Sequence, residues 1–248
     1  MKSRGRRAAE RGFSLVEFMT ATAIFVVLCS AAFGLLAVCQ RSYQTESQLL
    51  SSFQEARLAV DQIVRDVNIA GYPPPEQFST SSIATKYYAQ TPFAWVPGYL
   101  TPARCAIGAG CATPGDFDLI IETNIDPTVD SEVDWVRYQL QGTTLFRGQV
   151  TKSATDPDAP TAAVLVPFVQ NVINSAPPAG PPVPIFKYFC NDANVLKECA
   201  AASPSGNAPA NIVEVEVTLL VQAPQPDPTT GKPRIVTLNG RGHRVNPN

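Results

Sequence analysis

The sequence predicts an α+β protein, in which one long N-terminal helix packs on an antiparallel β-sheet body with long loops. Three observations predict it. An uncharged apolar run fills 18–39. An apolar stripe at helical spacing then continues to Ala70. Short alternating segments separated by turn residues occupy the remainder, and one helix followed by a run of strands is the α+β order.

The apolar run reads FMTATAIFVVLCSAAFGLLAVC. At about 1.5 Å per residue it would reach roughly 33 Å as a helix, enough for the hydrocarbon core of a bilayer. Lys2, Arg4, Arg6, Arg7 and Arg11 precede it, and no basic residue follows before Arg41. That asymmetry keeps the start cytoplasmic and exports the body. A secretory signal peptide shares the charged start and would end at small residues such as Ser30-Ala31-Ala32. Here the apolar run continues past them, too long for such a segment.

Beyond Arg41 the apolar positions are Leu49, Phe53, Ala56, Val60, Ile63, Val67 and Ala70, at steps of four and three. This is one sticky face of a helix, and Asp61 with Arg65 forms an i, i+4 pair on a more polar face. Gly71 offers a cap, and Pro73-Pro74-Pro75 prevents continuation. One helix is therefore expected over 14–70, with Ser30 and Gly34 the weakest helix formers in its apolar half.

In the body, 117–122 reads as a strand, and 133–140 alternates Val136, Tyr138 and Leu140 with Arg137 and Gln139. Gly142-Thr143 makes a turn into a returning strand over 144–147. Further strands are expected over 163–173, 185–189 and 211–222, the last with Val213, Val215, Val217 and Leu219 opposite Glu214 and Glu216. A short strand over 235–238 would close the body before a tail at 240–248. Segments 76–115, 150–160 and the Pro-rich stretch near 177–182 read as loops.

Whole-chain numbers set the class. With 248 residues and 45% apolar, a real core is possible. A net charge of −2 argues against a general nucleic-acid binder. Residues 1–12 hold five basic side chains against Glu10, a surplus of +4 that leaves −6 on the rest when taken from −2. Basic start and acidic body thus belong on opposite sides of a membrane. Charged residues at only 16% with 23 prolines suit a loop-rich extracytoplasmic domain. Six cysteines form three groups. Cys29 and Cys39 lie in the apolar helix, while Cys105 with Cys111 and Cys190 with Cys199 enclose short loops. Disulfides in an oxidising compartment are expected for the latter two pairs. The zinc alternative needs closer spacing and histidines, and His243 is the only histidine.

The segment Arg11-Gly12-Phe13-Ser14-Leu15-Val16-Glu17-Phe18-Met19 resembles the processing site of type IV prepilins and pseudopilins. The resemblance implies a pilin-like fold. It also implies cleavage after Gly12 by a membrane prepilin peptidase, with methylation of the new amino terminus at Phe13. Glycine leaves the scissile bond conformationally free. A carboxylate at the edge of an apolar span is costly and marks function by default. The resemblance implies that Glu17 pairs with a neighbouring subunit's amino terminus, though a plain interfacial carboxylate reaching water is the simpler reading. The segment EARLAVDQIVRDVNIAGYPPP at 55–75 is similar to the helix end of PilW-type minor pilins and J-type secretion pseudopilins, through Arg65, Asp66, Ala70, Gly71 and Tyr72. Helix packing and capping are the expected roles of those five.

The implied organisation is a cleaved leader over 1–12, a transmembrane half-helix over 13–40, a periplasmic half-helix over 41–71 and a β-rich body over 72–248. The implied function is that of a minor pilin in type IV pilus assembly. Its partners would be the peptidase, the inner membrane, other minor pilins and the major pilin, with no nucleic acid and no cofactor. The final location would be the pilus on the cell surface. The alternatives are a J-type pseudopilin of type II secretion and a tip subunit for adhesion or DNA uptake. In the latter, Tyr87, Tyr88, Phe93, Trp95 and Tyr99 could face a ligand, although buried loop anchors are the commoner use.

No catalytic constellation is visible. GxSxG, a phosphate-cradling Gly loop and HExxH are all missing. His243 falls in the expected tail and has no evident orienting partner, so an enzyme is not expected. Asp126, Asp130, Glu132 and Asp134 form an acidic cluster, and Asp126-x-Thr128-x-Asp130 is similar to the start of a calcium loop. Ser131 replaces the expected Gly and Arg137 the closing Glu, so a solvated acidic loop is expected rather than a metal site.

Overall fold

A computed structural model describes residues 14–74, 77, 89, 92–94, 115–129, 131–152, 164–192, 194–199, 212–227 and 230–245. The chain divides into two compact units, Met1–Ser47 and Gln48–Asn248. Helix α1 is continuous over Leu15–Asn68, 54 residues, so its first part belongs to one unit and its last turns to the other. This helix is long and apolar enough to cross a membrane.

In the second unit, every apolar residue of the predicted stripe except the half-buried Phe53 is buried: Leu49, Ala56, Val60, Ile63, Val67 and Ala70. α1 ends where the sequence predicts. Gly71 takes φ of 83°, the left-handed region that glycine enters without a Cβ clash. Its N–H donates to Glu122 O at 2.9 Å, so the chain leaving the helix is tied at once to a strand.

Two antiparallel sheets follow. The first is ordered β1-β2-β3-β4-β5, from Phe93–Ala94, Asp118–Thr123, Asp134–Gln141, Thr144–Thr151 and Val166–Val169. The second is ordered β7-β6-β8-β9, from Val195–Glu198, Phe186–Asp192, Ile212–Pro226 and Pro233–His243. A bridge between Val172 and Val221 joins the line of β5 to β8. The β3–β4 hairpin pairs Gln141 with Thr144, and Gly142 takes φ of 61° at the first central position, as a type II′ turn requires.

Alternation in the strands gives one shared core. Leu119, Ile121, Val136, Tyr138 and Leu145 from the first sheet meet Val215, Val217, Leu219 and Val221 from the second, together with the buried stripe of α1. On the opposite face of the first sheet Ile120 and Trp135 are fully buried, with Val150 against them.

Three strand expectations are corrected. The expected 163–173 strand is shorter, because Pro167 sits in the edge strand and the register shifts between Leu145 and Phe146. β7 was not anticipated; all four of its residues are exposed on a sheet edge, so burial never imposed an alternating pattern. The last strand extends to His243 instead of ending at 238, and residues 240–244 are not a free tail. The Pro-rich stretch 177–182 carries no helix or strand, as expected, while 76–115 and 150–160 lie largely outside the described residues.

Candidate functional site

The head of α1 is built from Ser14 and Glu17. Ser14 O accepts from Phe18 N at 3.1 Å, which makes Ser14 the N-cap. Ser14 N donates to Glu17 Oε2 at 3.0 Å. This is the return arm of a capping box, S-x-x-E, so the carboxylate binds an orphan amide at the positive end of its own helix. Glu17 is exposed, as are the large apolar side chains that follow it, Phe18, Met19, Ile24, Phe25, Val26, Val27, Leu28, Phe33, Leu35, Leu36 and Val38. The hydroxyls among them are satisfied locally. Thr20 donates to Glu17 O at 3.0 Å, Thr22 to Met19 O at 2.9 Å and Ser30 to Val26 O at 2.8 Å. A helix whose polar side chains return to its own carbonyls asks nothing of a surrounding hydrocarbon. Cys29 and Cys39 are free thiols. Gly12 and Phe13 lie outside the described residues.

The carboxy-terminal end of α1 has a different construction. Asp66, on the apolar stripe and 1% exposed, accepts from Tyr138 Oη at 2.6 Å and from Arg147 Nη2 at 3.3 Å. Arg147 Nε donates to Tyr138 Oη at 3.1 Å, closing the triangle. Burial, then the Asp66 carboxylate, pushes the Tyr138 hydroxyl far above its ordinary range. Burial works against the Arg147 charge, but Tyr138 and Asp66 outweigh it and raise the pKa. Helix, β3 and β4 are thus pinned through one buried polar knot, each member of which holds a partner.

Two glycines allow the helix its close seat. A Cβ on Gly240 would lie 2.4 Å from Val60 Cγ1, and one on Gly242 would lie 2.6 Å from Val67 Cγ1. Asn68 completes the seam, its Oδ1 accepting from His243 N at 2.9 Å and its carbonyl from Val245 N at 3.1 Å. Sequence reasoning missed all of this. Asp66 gives a signal, a charge on an apolar stripe, but apart from Gln62, whose Nε2 donates to Oδ1 at 2.7 Å, its partners Tyr138 and Arg147 are far away in the sequence. Gly240 and Gly242 fall in the expected tail, although a glycine inside a strand also marks a backbone that another element approaches closely.

The remaining candidates separate clearly. Cys190 and Cys199 form a disulfide between β6 and the end of β7. Cys105 and Cys111 lie outside the described residues, as do Asp130, Tyr87, Tyr88, Trp95 and Tyr99. Phe93 is wholly buried in the core. Asp126 Oδ1 accepts from Thr128 Oγ1 at 2.7 Å, and Asp134 Oδ2 accepts from Gln149 Nε2 at 3.1 Å, so both carboxylates hold local protein partners. Among the described residues no three His, Cys, Asp or Glu side chains are placed to share a metal. His243 is exposed but has an orienting group, Glu214 Oε1 at 3.3 Å from Nδ1. It borders a cleft of about 430 Å³ lined also by Asn191, Asn194, Leu196 and Arg244. Among the described residues that cleft offers His243 no serine, threonine or cysteine to activate.

No protein-family model matches the chain, and no curated protein matches it.

Proposed function

We propose that the chain is a minor pilin, a non-enzymatic subunit that waits in the inner membrane and enters a type IV pilus or its tip complex. One observation carries the reading most. A single helix begins with a carboxylate and an uncovered apolar half, then continues into a half whose stripe is buried in a β-sheet body. A helix apolar all round needs lipid or other helices against it, whereas a striped one needs only one packed face.

On this reading the peptidase cuts after Gly12 and Phe13 becomes the methylated amino terminus. The apolar half of α1 holds the subunit in the bilayer with the body in the periplasm. During assembly Glu17 neutralises the amino terminus of a neighbouring subunit as the helix moves from lipid into the filament. A charge pair in a dry helical core offsets the cost of carrying either charge there alone. The body contributes contacts to other minor pilins and the major pilin.

The test is the amount of major pilin sheared from cells deleted for this gene. The expected result is a normal cellular pool, a sharp fall in surface filaments, and no rescue by Glu17→Ala. Unchanged filaments with exported proteins held in the periplasm would replace this reading by the J-type secretion pseudopilin. If neither changes, the assembly role is wrong.

A further inference from the structure

The cleft beside His243 lies at the end of the second sheet where β6 turns into β7. Its volume of about 430 Å³ falls within the range of about 300–1,000 Å³ that small-molecule sites occupy. Three local features build it. The turn from β6 to β7 contains Asn194 at φ of 66°, a left-handed value that asparagine adopts more readily than most residues with a side chain. The Cys190–Cys199 disulfide ties β6 to the residue that follows β7. On β8, Glu214 pairs with Phe189 while Ile212 pairs with Cys190, so Val213 is one residue too many and forms a bulge. Its carbonyl accepts from Arg244 N at 2.8 Å, which seats the end of β9 against the bulge.

The side chains around the cleft combine one cation with groups that give and take hydrogen bonds. Arg244 is 7% exposed, and burial lowers its pKa. A guanidinium with little water around it gains from an anion, and its planar fork matches a carboxylate. Asn191 and Asn194 each offer a donor NH2 and an acceptor carbonyl. Glu214 is an acceptor with cationic neighbours of its own. Arg241 Nε stands 3.3 Å from its Oε2, and His243 Nδ1 stands 3.3 Å from its Oε1. Arg241 in turn lies over the Phe189 ring, 4.5 Å from the centroid, which helps to fix that neighbour in place. With Nδ1 turned to Glu214, His243 keeps Nε2 for a ligand. Leu196 supplies an exposed apolar wall.

These groups discriminate among ligands. A phosphate, doubly charged and rich in acceptors, would be repelled by the Glu214 carboxylate. A neutral sugar would bring no charge to the guanidinium. A carboxylate that carries neighbouring hydroxyls satisfies both ends of the cleft. We propose that this cleft binds a sugar acid, with Arg244 taking the carboxylate and Asn191, Asn194, Glu214 and His243 the hydroxyls. Leu196 then lies against the C–H face of the sugar ring. Every one of these residues belongs to the second unit, so the site stands whether or not the chain enters a pilus.

Ligand-observed NMR decides the matter, using the full-length protein in a detergent without a sugar head group. The probes are D-glucuronate, D-glucose and inorganic phosphate. Saturation transfer to glucuronate is expected, with far less to glucose and no displacement of glucuronate by an equal concentration of phosphate. Arg244→Gln is expected to weaken glucuronate binding about ten- to a hundredfold, as loss of a charge-assisted hydrogen bond does. Asn194→Gly keeps the positive φ and removes the carboxamide, and should weaken binding about two- to tenfold. That variant carries the test should Arg244→Gln fail to fold. Absence of transfer to glucuronate would overturn the proposal. So would equal transfer to glucose, or displacement by phosphate, which would leave only a general anion site. Wild-type affinity in either folded variant would place the binding elsewhere and overturn it as well.

Discussion

Between 15 and 38 the large apolar side chains of α1 are exposed; between 49 and 70 the apolar stripe is buried. Each half also carries one carboxylate at odds with its surroundings. Glu17 is exposed, and among the described residues its carboxylate bonds to the amide three residues before it. Asp66 is enclosed and, besides Gln62 one turn back, bonds to Tyr138 and Arg147, 72 and 81 residues away. The same backbone thus supports two kinds of polar exception. The buried one is satisfied by the fold of its own chain and fixes where the helix sits. The exposed one is satisfied only as a cap, which leaves its charge available to a partner outside the chain.

The comparison breaks most visibly at Asp66. Asp66→Ala leaves Arg147 without its carboxylate inside a polar knot, and removing one partner of a buried pair costs about 3 to 5 kcal/mol. Arg147 is about one-fifth exposed, which points to the lower end of that range. Chemical denaturation of the detergent-solubilised chain should show the loss in its midpoint. An unchanged midpoint would mean that the knot does not hold the helix.

Next in size is the close approach at β9. Gly242→Val places a side chain where Val67 Cγ1 already stands and where Val64 O would lie 3.2 Å from the new Cβ. Overpacking of this kind costs about 1 to 3 kcal/mol. The same substitution at Gly34, whose added Cβ meets nothing within 4 Å, should leave the denaturation midpoint nearly unmoved. Equal effects at the two glycines would erase the distinction between the halves.

These residues also show what was legible. The period of the stripe, the cap at Gly71 and the Cys190–Cys199 pairing each depend on neighbours close in sequence, so the sequence carries them openly. The main strands were legible because burial on one face imposes alternation. β7 was not, since a fully exposed edge imposes none. The Asp66 knot and the Gly240–Gly242 seat require knowing which strand lies under which turn of the helix, and no local pattern contains that. Of Gly12, Phe13 and Glu17, Glu17 alone lies within the described residues, and Ser14-x-x-Glu17 spells the capping motif that its bond to Ser14 N completes.

A smaller effect follows from pH. Tyr138 has its pKa raised by burial and then by Asp66, while an unfolded tyrosine ionises near 10. The stability from keeping this hydroxyl protonated is complete below pH 10 and drains away as the pH rises beyond it, because only the unfolded chain releases its proton there. Tyr188 adds to the same slope, its pKa raised by burial and then by Asp118 and Asp116. Tyr138→Phe should therefore flatten the alkaline loss without abolishing it, as read from denaturation midpoints on either side of pH 10. An alkaline slope unchanged in Tyr138→Phe would place the titrating group elsewhere.

The least effect on stability belongs to Glu17, and there the two roles of the carboxylate come apart. Glutamine at this position can still accept from Ser14 N, so Glu17→Gln keeps the cap and removes only the charge. Glu17→Ala removes both. Neither touches the core, and the denaturation midpoint should match the wild type in each. If the charge serves assembly, Gln and Ala lower the yield of sheared filaments alike. If the cap is what counts, Gln assembles as the wild type does and Ala alone fails. The second result would recast Glu17 as the counterpart of Gly71, an end-group that shapes the helix instead of one that meets a neighbour.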